Sequence, residues 1–430
     1  MLGLNNKLKK LDEMGKTIKV AIVGAGKMGK SMVSQLTLVK GMAPSLVANR
    51  SVEKAIEAYK LAGIKEEDIV VTNSLKELNK AVEEEKPVVT EYVDLVSKAN
   101  LIETVVDATG VPEVGARLAM DSISNGKNIV MLNVEADAVV GSILYKKARN
   151  AGVVYTGTAG DEPGSVIEIY EYAQGLGFDV LAIGKGKNNP INLEVTPEAV
   201  YEKATKKRLN PRMLASFVDG TNTMIEMTCM ANATGLIPDI RGGHGVNGTV
   251  DELPNIFRLK KDGGILNKYG VVDYVNGIAP GVFAIITSEN NEVNNLMGFL
   301  KMGSGPNYVL YRPYHLTSLE TPATIARATL YNEPTIAPTK GMVAETVAVA
   351  KKNLKPGDRL DYIGGYTVYG TIETYENAKD NNFVPIGLIN KNTIVRRNIK
   401  KGEILTKDSI KVDNSTFIYK LRKLQNELLG

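Results

Sequence analysis

A glycine-rich turn between an apolar run and an amphipathic segment constrains the fold of this chain most strongly. Residues 18–23 read IKVAIV, a run typical of a buried strand, and GAGKMG follows at 24–29. Apolar side chains then recur at helical spacing. In this order the first glycine makes a tight turn, the second lets the backbone approach a pyrophosphate, and the third lets the helix pack closely. The helix N-terminus adds free N–H groups. We therefore expect a dinucleotide to contact Gly24, Gly26, Lys27, Met28 and Gly29.

The end of the next predicted strand bears on the choice of cofactor. SLVA at 45–48 is followed by Asn49, Arg50 and Ser51. NAD sites place an acidic residue here, which would repel a 2′-phosphate, whereas an arginine would bind it. The alternative is that Arg50 only caps the turn. The sequence favours NADPH over NADH.

Strands and helices continue to alternate after this point. DIVVT (68–72), TVVDATG (104–110), NIVMLN (128–133) and GVVYTGT (152–158) predict strands. This alternation indicates an α/β domain with a doubly wound parallel sheet, whose ligands bind at the carboxyl ends of the strands. We expect the nicotinamide end of the cofactor to lie near Asp107, Ala108, Thr109, Gly110 and Asn133, with Glu135 contacting the substrate.

Length and composition restrict the class of protein. A chain of 430 residues predicts two or three domains. A net charge of +4 is too small to indicate nucleic-acid binding, and no run of about 18 apolar residues predicts a membrane span. The single cysteine, Cys229, excludes an internal disulfide framework and a cysteine zinc site. The start of the chain has no signal-peptide pattern. We expect a cytoplasmic homodimer or homotetramer that binds neither nucleic acid nor membrane.

The sequence pattern changes in the middle third of the chain, where polar clusters alternate with apolar runs. VFAIIT (282–287) and YVLY (308–311) predict strands of an antiparallel sheet. TPATIARATLY (321–331) predicts a helix that returns to the first domain. The pattern indicates an α+β substrate domain. Its polar clusters are GDEPGS (160–165), GKGKNNP (184–190), DGTNTMIEM (219–227), RGGHG (241–245) and RPYHLTSLE (312–320).

Lys185 and Lys187 are the leading candidates for chemistry. They lie two residues apart in what the sequence predicts to be an extended, glycine-interrupted loop, so their side chains could share a face. Mutual repulsion would then lower the pKa of one of them toward neutrality. A lysine with such a pKa suits a proton donor that also supplies positive charge. The alternative is two solvated lysines. Asn188 and Asn189, which follow, are candidate substrate ligands.

Other polar residues of these clusters are weaker candidates. Asp219 and Glu226 would share a face of one helix and could orient a lysine or hold a substrate hydroxyl, and Thr221 lies in the same stretch. His244 stands between glycines, and Arg312 could bind a carboxylate or phosphate beside His315. We predict catalytic roles for Asp219 and His315, and substrate binding by Thr221, His244 and Arg312. GDEPGS either caps a helix or belongs to the site. Two histidines are too few for zinc, and no metal is predicted.

The combination of GAGKMG with the five polar clusters resembles the deoxyxylulose-phosphate-reductoisomerase-like oxidoreductases, a branch related to homoserine dehydrogenase. The resemblance implies a Rossmann domain, a catalytic α+β domain and a C-terminal SAF domain. It also implies NADPH-dependent reduction of a small carbonyl compound, or the reverse oxidation.

Two positions depart from the patterns of these relatives. Homoserine dehydrogenases carry Ala-Asn-Lys with a catalytic lysine where this chain has Leu132, Asn133, Val134 and Glu135, so a lysine must come from elsewhere. Reductoisomerases bind a metal through Asp-x-Glu. Glu135-x-Asp137 has that spacing in reversed order, which does not by itself support a metal.

The last ninety residues contain two similar turns, LKPGDRL (354–360) and IKKGEIL (399–405). They resemble the SAF domain, which implies a small all-β module that caps the cleft or builds the oligomer. The expected domains are 1–158 (nucleotide binding), 159–338 (catalytic) and 339–430 (SAF). The predicted function is NADPH-dependent reduction of a small polar hydroxy-carbonyl substrate, with or without a phosphate. The alternatives are reduction of aspartate semialdehyde, as in homoserine dehydrogenase, and a non-catalytic assembly protein that acts through its SAF domain.

Overall fold

A computed structural model describes residues 3–430 and separates them into two compact units. The first unit comprises residues 3–161, 316–337 and 416–429. The second comprises residues 162–315 and 338–415, with Gly430. The predicted domain boundaries after residues 158 and 338 stay predictions. No helix within the described residues is long and apolar enough to cross a membrane.

The first unit contains a seven-stranded sheet in which every strand pair is parallel, in the order β3-β4-β2-β1-β5-β6-β7. The predicted doubly wound Rossmann-type sheet is confirmed. Its strands are β1 (Ile18–Val23), β2 (Met42–Ala48), β3 (Val70–Val71), β4 (Val88–Thr90), β5 (Thr104–Asp107), β6 (Asn128–Met131) and β7 (Tyr155–Gly157). Its helices are α1 (Leu4–Glu13), α2 (Lys27–Leu36), α3 (Val52–Leu61), α4 (Leu75–Glu83), α5 (Pro112–Ser124) and α6 (Val134–Ala151).

Hydrophobic periodicity explains most of this sheet. Val20 and Ile22 of β1 pack in one core with Met32, Val33 and Leu36 of α2, the positions spaced for a helix face. The sequence missed β4, because its three residues follow a charged run and Pro87. It also overestimated β3, where Asp68 belongs to a 3₁₀ turn and only two residues pair.

The second unit contains a five-stranded sheet in the order β12-β11-β8-β10-β9. The predicted antiparallel sheet is corrected to a mixed one, because β8 pairs antiparallel with β11 and parallel with β10. Its strands are β8 (Asp179–Lys187), β9 (Val246–Asn247), β10 (Val271–Asn276), β11 (Val282–Thr287) and β12 (Asn307–Arg312). Its helices up to this point are α7 (Glu162–Gly175), α8 (Tyr201–Lys206), α9 (Pro211–Val218), α10 (Thr221–Thr234), α11 (Leu253–Ile256) and α12 (Asn291–Phe299).

The rest of the chain contributes to both units. Helix α13 (Thr321–Tyr331) packs on the sheet of the first unit, where Ile325 is in the core and Thr329 hydrogen-bonds Thr104 at 3.0 Å. Strands β13 (Ala344–Ala350) and β14 (Val368–Thr374) form a hairpin of the second unit. They are followed by α14 (Tyr375–Asp380), β15 (Ile394–Val395), β16 (Ile410–Lys411) and α15 (Phe417–Leu429). An all-β C-terminal module is not confirmed, since this region contains two helices.

Candidate active site

The three glycines of the GAGKMG turn have different surroundings. Gly24 has φ +103°, and a Cβ there would lie 2.7 Å from the carbonyl oxygen of Ala108. A Cβ on Gly29 would overlap the carbonyl oxygen of Gly24. A Cβ on Gly26 would meet no heavy atom within 4 Å. The first and third glycines are therefore required by the turn and by helix packing. The open space at Gly26, at the N-terminus of α2 where the helix dipole is positive, fits a dinucleotide pyrophosphate.

The predicted cofactor residues after β2 divide into two kinds. The Asn49 side chain accepts from the N–H of Ala25 at 3.0 Å and donates to the carbonyl of Ser51 at 2.8 Å, so it fastens the glycine turn. Ser51 caps α3 by accepting from the N–H of Lys54. Arg50 is exposed. Capping is thus the role of Ser51, and of these three residues only Arg50 has a side chain available to a ligand.

A buried polar network holds the loops after β5 and β6. The Asp107 carboxyl accepts from the N–H and hydroxyl of Thr109 at 2.9 and 2.7 Å and from the Asn133 amide at 2.9 Å. Asn133 also caps α6 through the N–H of Ala136. Burial raises the pKa of Asp107. Ala108 and Gly110 lie in the first of these loops, so the residues predicted to edge the nicotinamide do meet at the carboxyl ends of adjacent strands.

Glu135 is buried near the start of α6. Burial raises its pKa to about 7, and the neighbouring charge of Asp107 acts in the same direction. Asp137 instead accepts from the Tyr155 hydroxyl at 2.6 Å. Residues two apart on a helix do not share a face. Glu135 and Asp137 therefore do not form the metal pair that their spacing allowed.

Lys185 and Lys187 lie in the central strand β8 of the second unit, which corrects the prediction of a loop. Side chains two apart in a strand share a face, so the predicted common face holds, and both lysines are buried. The intervening glycines have a packing reason. A Cβ on Gly184 would lie 2.8 Å from the Phe283 ring, and one on Gly186 would lie 2.6 Å from the Cα of Ala279.

Lys185 is enclosed by two carboxyl groups. Its Nζ lies 2.7 Å from Glu162 at the start of α7 and contacts Glu226 of α10. The Asn222 amide donates to the other oxygen of Glu226 at 2.5 Å. Burial disfavours the ammonium, but the two carboxyl groups outweigh it and raise the pKa of Lys185. Burial also raises the pKa of Glu226 to about 8, helped by Glu162.

Lys187 has a different partner. Its Nζ donates to the carbonyl oxygen of Phe217 at 2.8 Å, at the end of α9. Burial lowers the pKa of Lys187 to about 8, and the charge of Lys185 contributes in the same direction. We call Lys185, Lys187, Glu162, Glu226 and Asn222 the lysine cluster. The lowering of one lysine pKa is in the direction that the sequence predicted.

Asp219 does not share a helix face with Glu226, because it caps the end of α9 and α10 begins only at Thr221. Its carboxylate lies 2.7 Å from Nζ of Lys351 and accepts from the N–H of Thr221 at 2.9 Å. The Thr221 hydroxyl accepts from the N–H of Gly370 at 2.8 Å, so its oxygen already serves a backbone contact. The predicted site residues Asp219 and Thr221 therefore both lie at the joint between α9 and α10, where they make structural contacts.

The His244 loop is organised around Asp273 of β10. The Asp273 carboxylate accepts from the N–H groups of His244 and Gly245, and the His244 ring pairs with Asp239 at 2.8 Å. In register, Asp273 is paired with Gly184 rather than with a lysine. The side chain of Asp273 therefore lies on the sheet face opposite the lysines, and the structure does not bring this anchor of the His244 loop to the lysine cluster.

The remaining candidates lie nearer the cluster. The His315 ring is 3.4 Å from Glu162, the same carboxyl oxygen that contacts Lys185. Arg312 pairs with Glu168 at 2.9 Å and lies over the Tyr314 ring. Asn188 is exposed just beyond β8, and Asn189 accepts from Lys203 at 3.3 Å. The catalytic role predicted for His315 and the substrate-binding roles predicted for Arg312, Asn188 and Asn189 stay predictions.

Three members of the local network were missed or left undecided. Glu162 is the first residue of α7 and also pairs with Lys185, a contact that the sequence did not indicate. Asn222 was overlooked, although its spacing of four from Glu226 places both on one helix face. Lys351 has no motif signal, since its partner is 132 positions earlier in the chain.

Residues 160–321 match the family model for the catalytic domain of oxidoreductase DRL, and residues 6–113 match the model for shikimate / quinate 5-dehydrogenase. No curated protein matches the chain.

Solved dehydrogenase structures show a distant similarity. A probable dehydrogenase from Thermotoga maritima is 12% identical, with a TM-score of 0.42 over 75% of this chain and 92% of that one. Scyllo-inositol dehydrogenase from Lactobacillus casei is 14% identical, with a TM-score of 0.42 over 76% and 93%.

The chain is an enzyme, an oxidoreductase of the dehydrogenase type with a nucleotide-binding fold. This confirms the predicted class of activity against the non-catalytic alternative.

Proposed function

We propose that this oxidoreductase uses NADPH to reduce a small polar hydroxy-carbonyl compound, or catalyses the reverse oxidation. We place it with the reductoisomerase-like oxidoreductases related to homoserine dehydrogenase, with residues 339–430 as a SAF-type module. The observation that carries the proposal is the buried lysine pair on β8, in which one lysine is held by carboxyl groups and the other by a backbone carbonyl.

The two lysines would have separate tasks. Lys187, with its pKa lowered to about 8, is protonated at neutral pH and releases its proton easily, as a general acid must. Lys185, with its pKa raised, stays charged and can polarise a carbonyl oxygen. When bound, the nicotinamide supplies the hydride. Lys187 then protonates the alkoxide oxygen, and in the reverse direction it accepts the hydroxyl proton.

Candidate ligands for the rest of the substrate are polar rather than apolar. Asn188 and Asn189 follow Lys187 directly, and His315 and Arg312 lie at the end of β12. His315 approaches Glu162 of the lysine cluster. This set suits a compound rich in hydroxyl, carboxylate or phosphate groups, and it motivates the substrate panel below.

The test is a panel of hydroxy-aldehydes, keto acids, aspartate semialdehyde and pentose and tetrose phosphates, scored by NADPH oxidation. With the substrate that turns over, Lys187→Met should lower kcat by on the order of 10²–10⁴-fold. Lys206→Met, which removes an exposed lysine of α8, is the matched control and should keep full activity. Intact turnover in both Lys185→Ala and Lys187→Ala would exclude the lysine mechanism. Turnover of aspartate semialdehyde alone would assign the homoserine dehydrogenase reaction instead.

The assembly and location of the protein also stay proposals. A homodimer or homotetramer is expected, and sedimentation of the purified chain would measure it. Cytoplasmic location, and the absence of nucleic-acid or membrane partners, stay predictions from the sequence.

A further inference from the structure

The C-terminal segment of the second unit contributes a buried lysine close to the lysine cluster. We propose that Lys351 is a positioning residue that holds Asp219 at the joint between α9 and α10. The residues on either side of this joint contact Lys187 and Lys185 of β8. The proposal rests on the function proposed for Lys187. It gives residues 338–415 a role in positioning the helices of the second unit, rather than that of an accessory cap.

Lys351 makes one ion pair and two hydrogen bonds, all within the protein. Nζ lies 2.7 Å from the Asp219 carboxylate and donates to the carbonyl oxygens of Val195 and Gly365 at 3.1 and 2.9 Å. The side chains of Lys351 and Asp219 are 3% and 0% exposed. An ammonium has three protons to donate. Lys351 is therefore committed to the protein and acts through Asp219, not on a substrate.

Asp219 lies at the joint between two helices. It is the residue that ends α9, and its carboxylate accepts from the N–H of Thr221, the first residue of α10. Just before the joint, the carbonyl of Phe217 binds Lys187. Just after it, α10 carries Glu226, which contacts Lys185. Fixing Asp219 therefore fixes an acceptor for each of the two lysines.

The same segment holds the rest of α10 along one side. The N–H of Gly370 donates to Thr221 at 2.8 Å, Thr346 hydrogen-bonds Thr228 at 2.8 Å, and the N–H of Ala344 donates to Asn232 at 3.1 Å. Positions 221, 228 and 232 share one helix face, and positions 222 and 226 share another. The β13–β14 hairpin thus binds one face of α10 while the other face presents Glu226.

Charge links this joint to Lys187. The charged groups that act on Lys187 are Lys185, Glu226 and Asp219. Asp219 is faced by Lys351, Thr221 and Tyr369. Burial raises the pKa of Asp219, and Lys351 is the largest influence that opposes this. Without Lys351, the buried Asp219 carboxylate loses its countercharge, so the pKa of Asp219 should rise further and its attraction for the Lys187 ammonium should weaken. The pKa of Lys187 should then fall.

The test needs no substrate. The reactivity of Lys187 toward acetic anhydride, followed by peptide mass spectrometry across pH 6–11, gives its titration midpoint in the full chain. Lys351→Met and Asp219→Asn should each lower this midpoint relative to the wild type, because each weakens the attraction of Asp219 for the Lys187 ammonium. The double variant should show the same shift as either single variant, because both act through one charge. Lys351→Arg should restore the wild-type midpoint.

A matched control separates this effect from general destabilisation. Lys127 of the first unit is equally buried and donates to the carbonyls of Ala99 and Ile102. Lys127→Met should lower the melting temperature without moving the Lys187 midpoint. An unmoved midpoint in Asp219→Asn, or additive shifts in the double variant, would overturn the proposal even if Lys351→Met fails to fold. The outcome could also be a loss of turnover in Lys187→Met together with an unmoved Lys187 midpoint in Asp219→Asn. That outcome would reject this inference alone and leave the proposed function standing.

Discussion

The side chain of Lys187 donates a hydrogen bond to the carbonyl oxygen of Phe217 at 2.8 Å, whereas Lys185, on the same face of the strand, contacts two carboxyl groups. A carbonyl carries only a partial negative charge, so it does not offset the cost of burying the ammonium. Burial therefore lowers the pKa of Lys187 to about 8, while carboxyl groups raise that of Lys185. Two identical side chains two residues apart are given different protonation behaviour by their partners.

The first prediction concerns the pH dependence of the reaction. The reduction needs protonated Lys187, so kcat should fall with a slope of one as pH rises above about 8. The oxidation needs the neutral amine and should rise over the same range. In Lys187→Arg the guanidinium stays charged up to about pH 12, so the decline near pH 8 should disappear at reduced kcat. Initial rates in both directions across pH 6–10 measure this, and an unchanged profile in the arginine variant would contradict it.

The second prediction concerns Glu226 and stability. Its pKa is raised from a usual value of about 4.3 to about 8. Between these values the folded state binds a proton that the unfolded state has lost, so stability should fall as pH rises, by at most about 1.4 kcal/mol per pH unit. Glu226→Gln cannot titrate, and its free energy of unfolding should vary less across pH 5–8. Urea unfolding at several pH values measures both slopes.

Glu226→Gln also identifies the proton donor. If Lys187 is the donor, this variant keeps the decline of the reduction rate near pH 8, although Glu226 has a similar pKa. Loss of the decline in Glu226→Gln together with its survival in Lys187→Arg would assign the proton to Glu226.

The nucleotide-binding sheet was predictable because its signals are local. The run from Ile18 to Val23, the glycine turn and the helical spacing after it each depend on a few neighbouring residues. The second sheet was less predictable, because the strands that pair with β8, namely β10 and β11, lie about a hundred positions later in the chain. Whether each runs parallel or antiparallel to β8 depends on the long connections between them. Alternation of lysine with glycine was interpreted as a loop, although glycines were needed where the Phe283 ring approaches the strand.

Sequence reasoning found the two lysines but not their environment. Lys185 is paired by Glu162 and Glu226, 23 and 41 positions away, and Asp219 is paired by Lys351. Such pairs depend on tertiary packing, which a single sequence does not display. The helix of Glu226 was predicted to include Asp219 because the Asp-Gly turn signal at 219–220 was overlooked, and Gly220 has φ +85° at this joint.

The third prediction separates cofactor binding from folding within the glycine turn. Gly26 has φ −75° and open space around a Cβ, so Gly26→Ala should leave the melting temperature unchanged or slightly higher. The added methyl group would occupy the space proposed for the pyrophosphate, and NADPH affinity should fall at least tenfold. Gly29→Ala should instead destabilise the fold by about 1–3 kcal/mol, because its Cβ would overlap the Gly24 carbonyl. Calorimetry and fluorescence titration of NADPH measure the two effects, and normal NADPH binding by Gly26→Ala would reject the pyrophosphate position.

The fourth prediction concerns the choice between NADPH and NADH. Asn49 and Ser51 are engaged in the turn and the α3 cap, which leaves the exposed Arg50 to bind a 2′-phosphate. A hydrogen bond to a charged group contributes about 1.5–3 kcal/mol, so Arg50→Asp should reduce the ratio of NADPH to NADH affinity by on the order of 10- to 100-fold. Lys76→Asp makes the same charge change on the exposed surface of α4 and should leave the ratio unaltered. Dissociation constants for both cofactors decide the point, because an unchanged ratio in Arg50→Asp would mean that other residues bind the phosphate or that the enzyme prefers NADH.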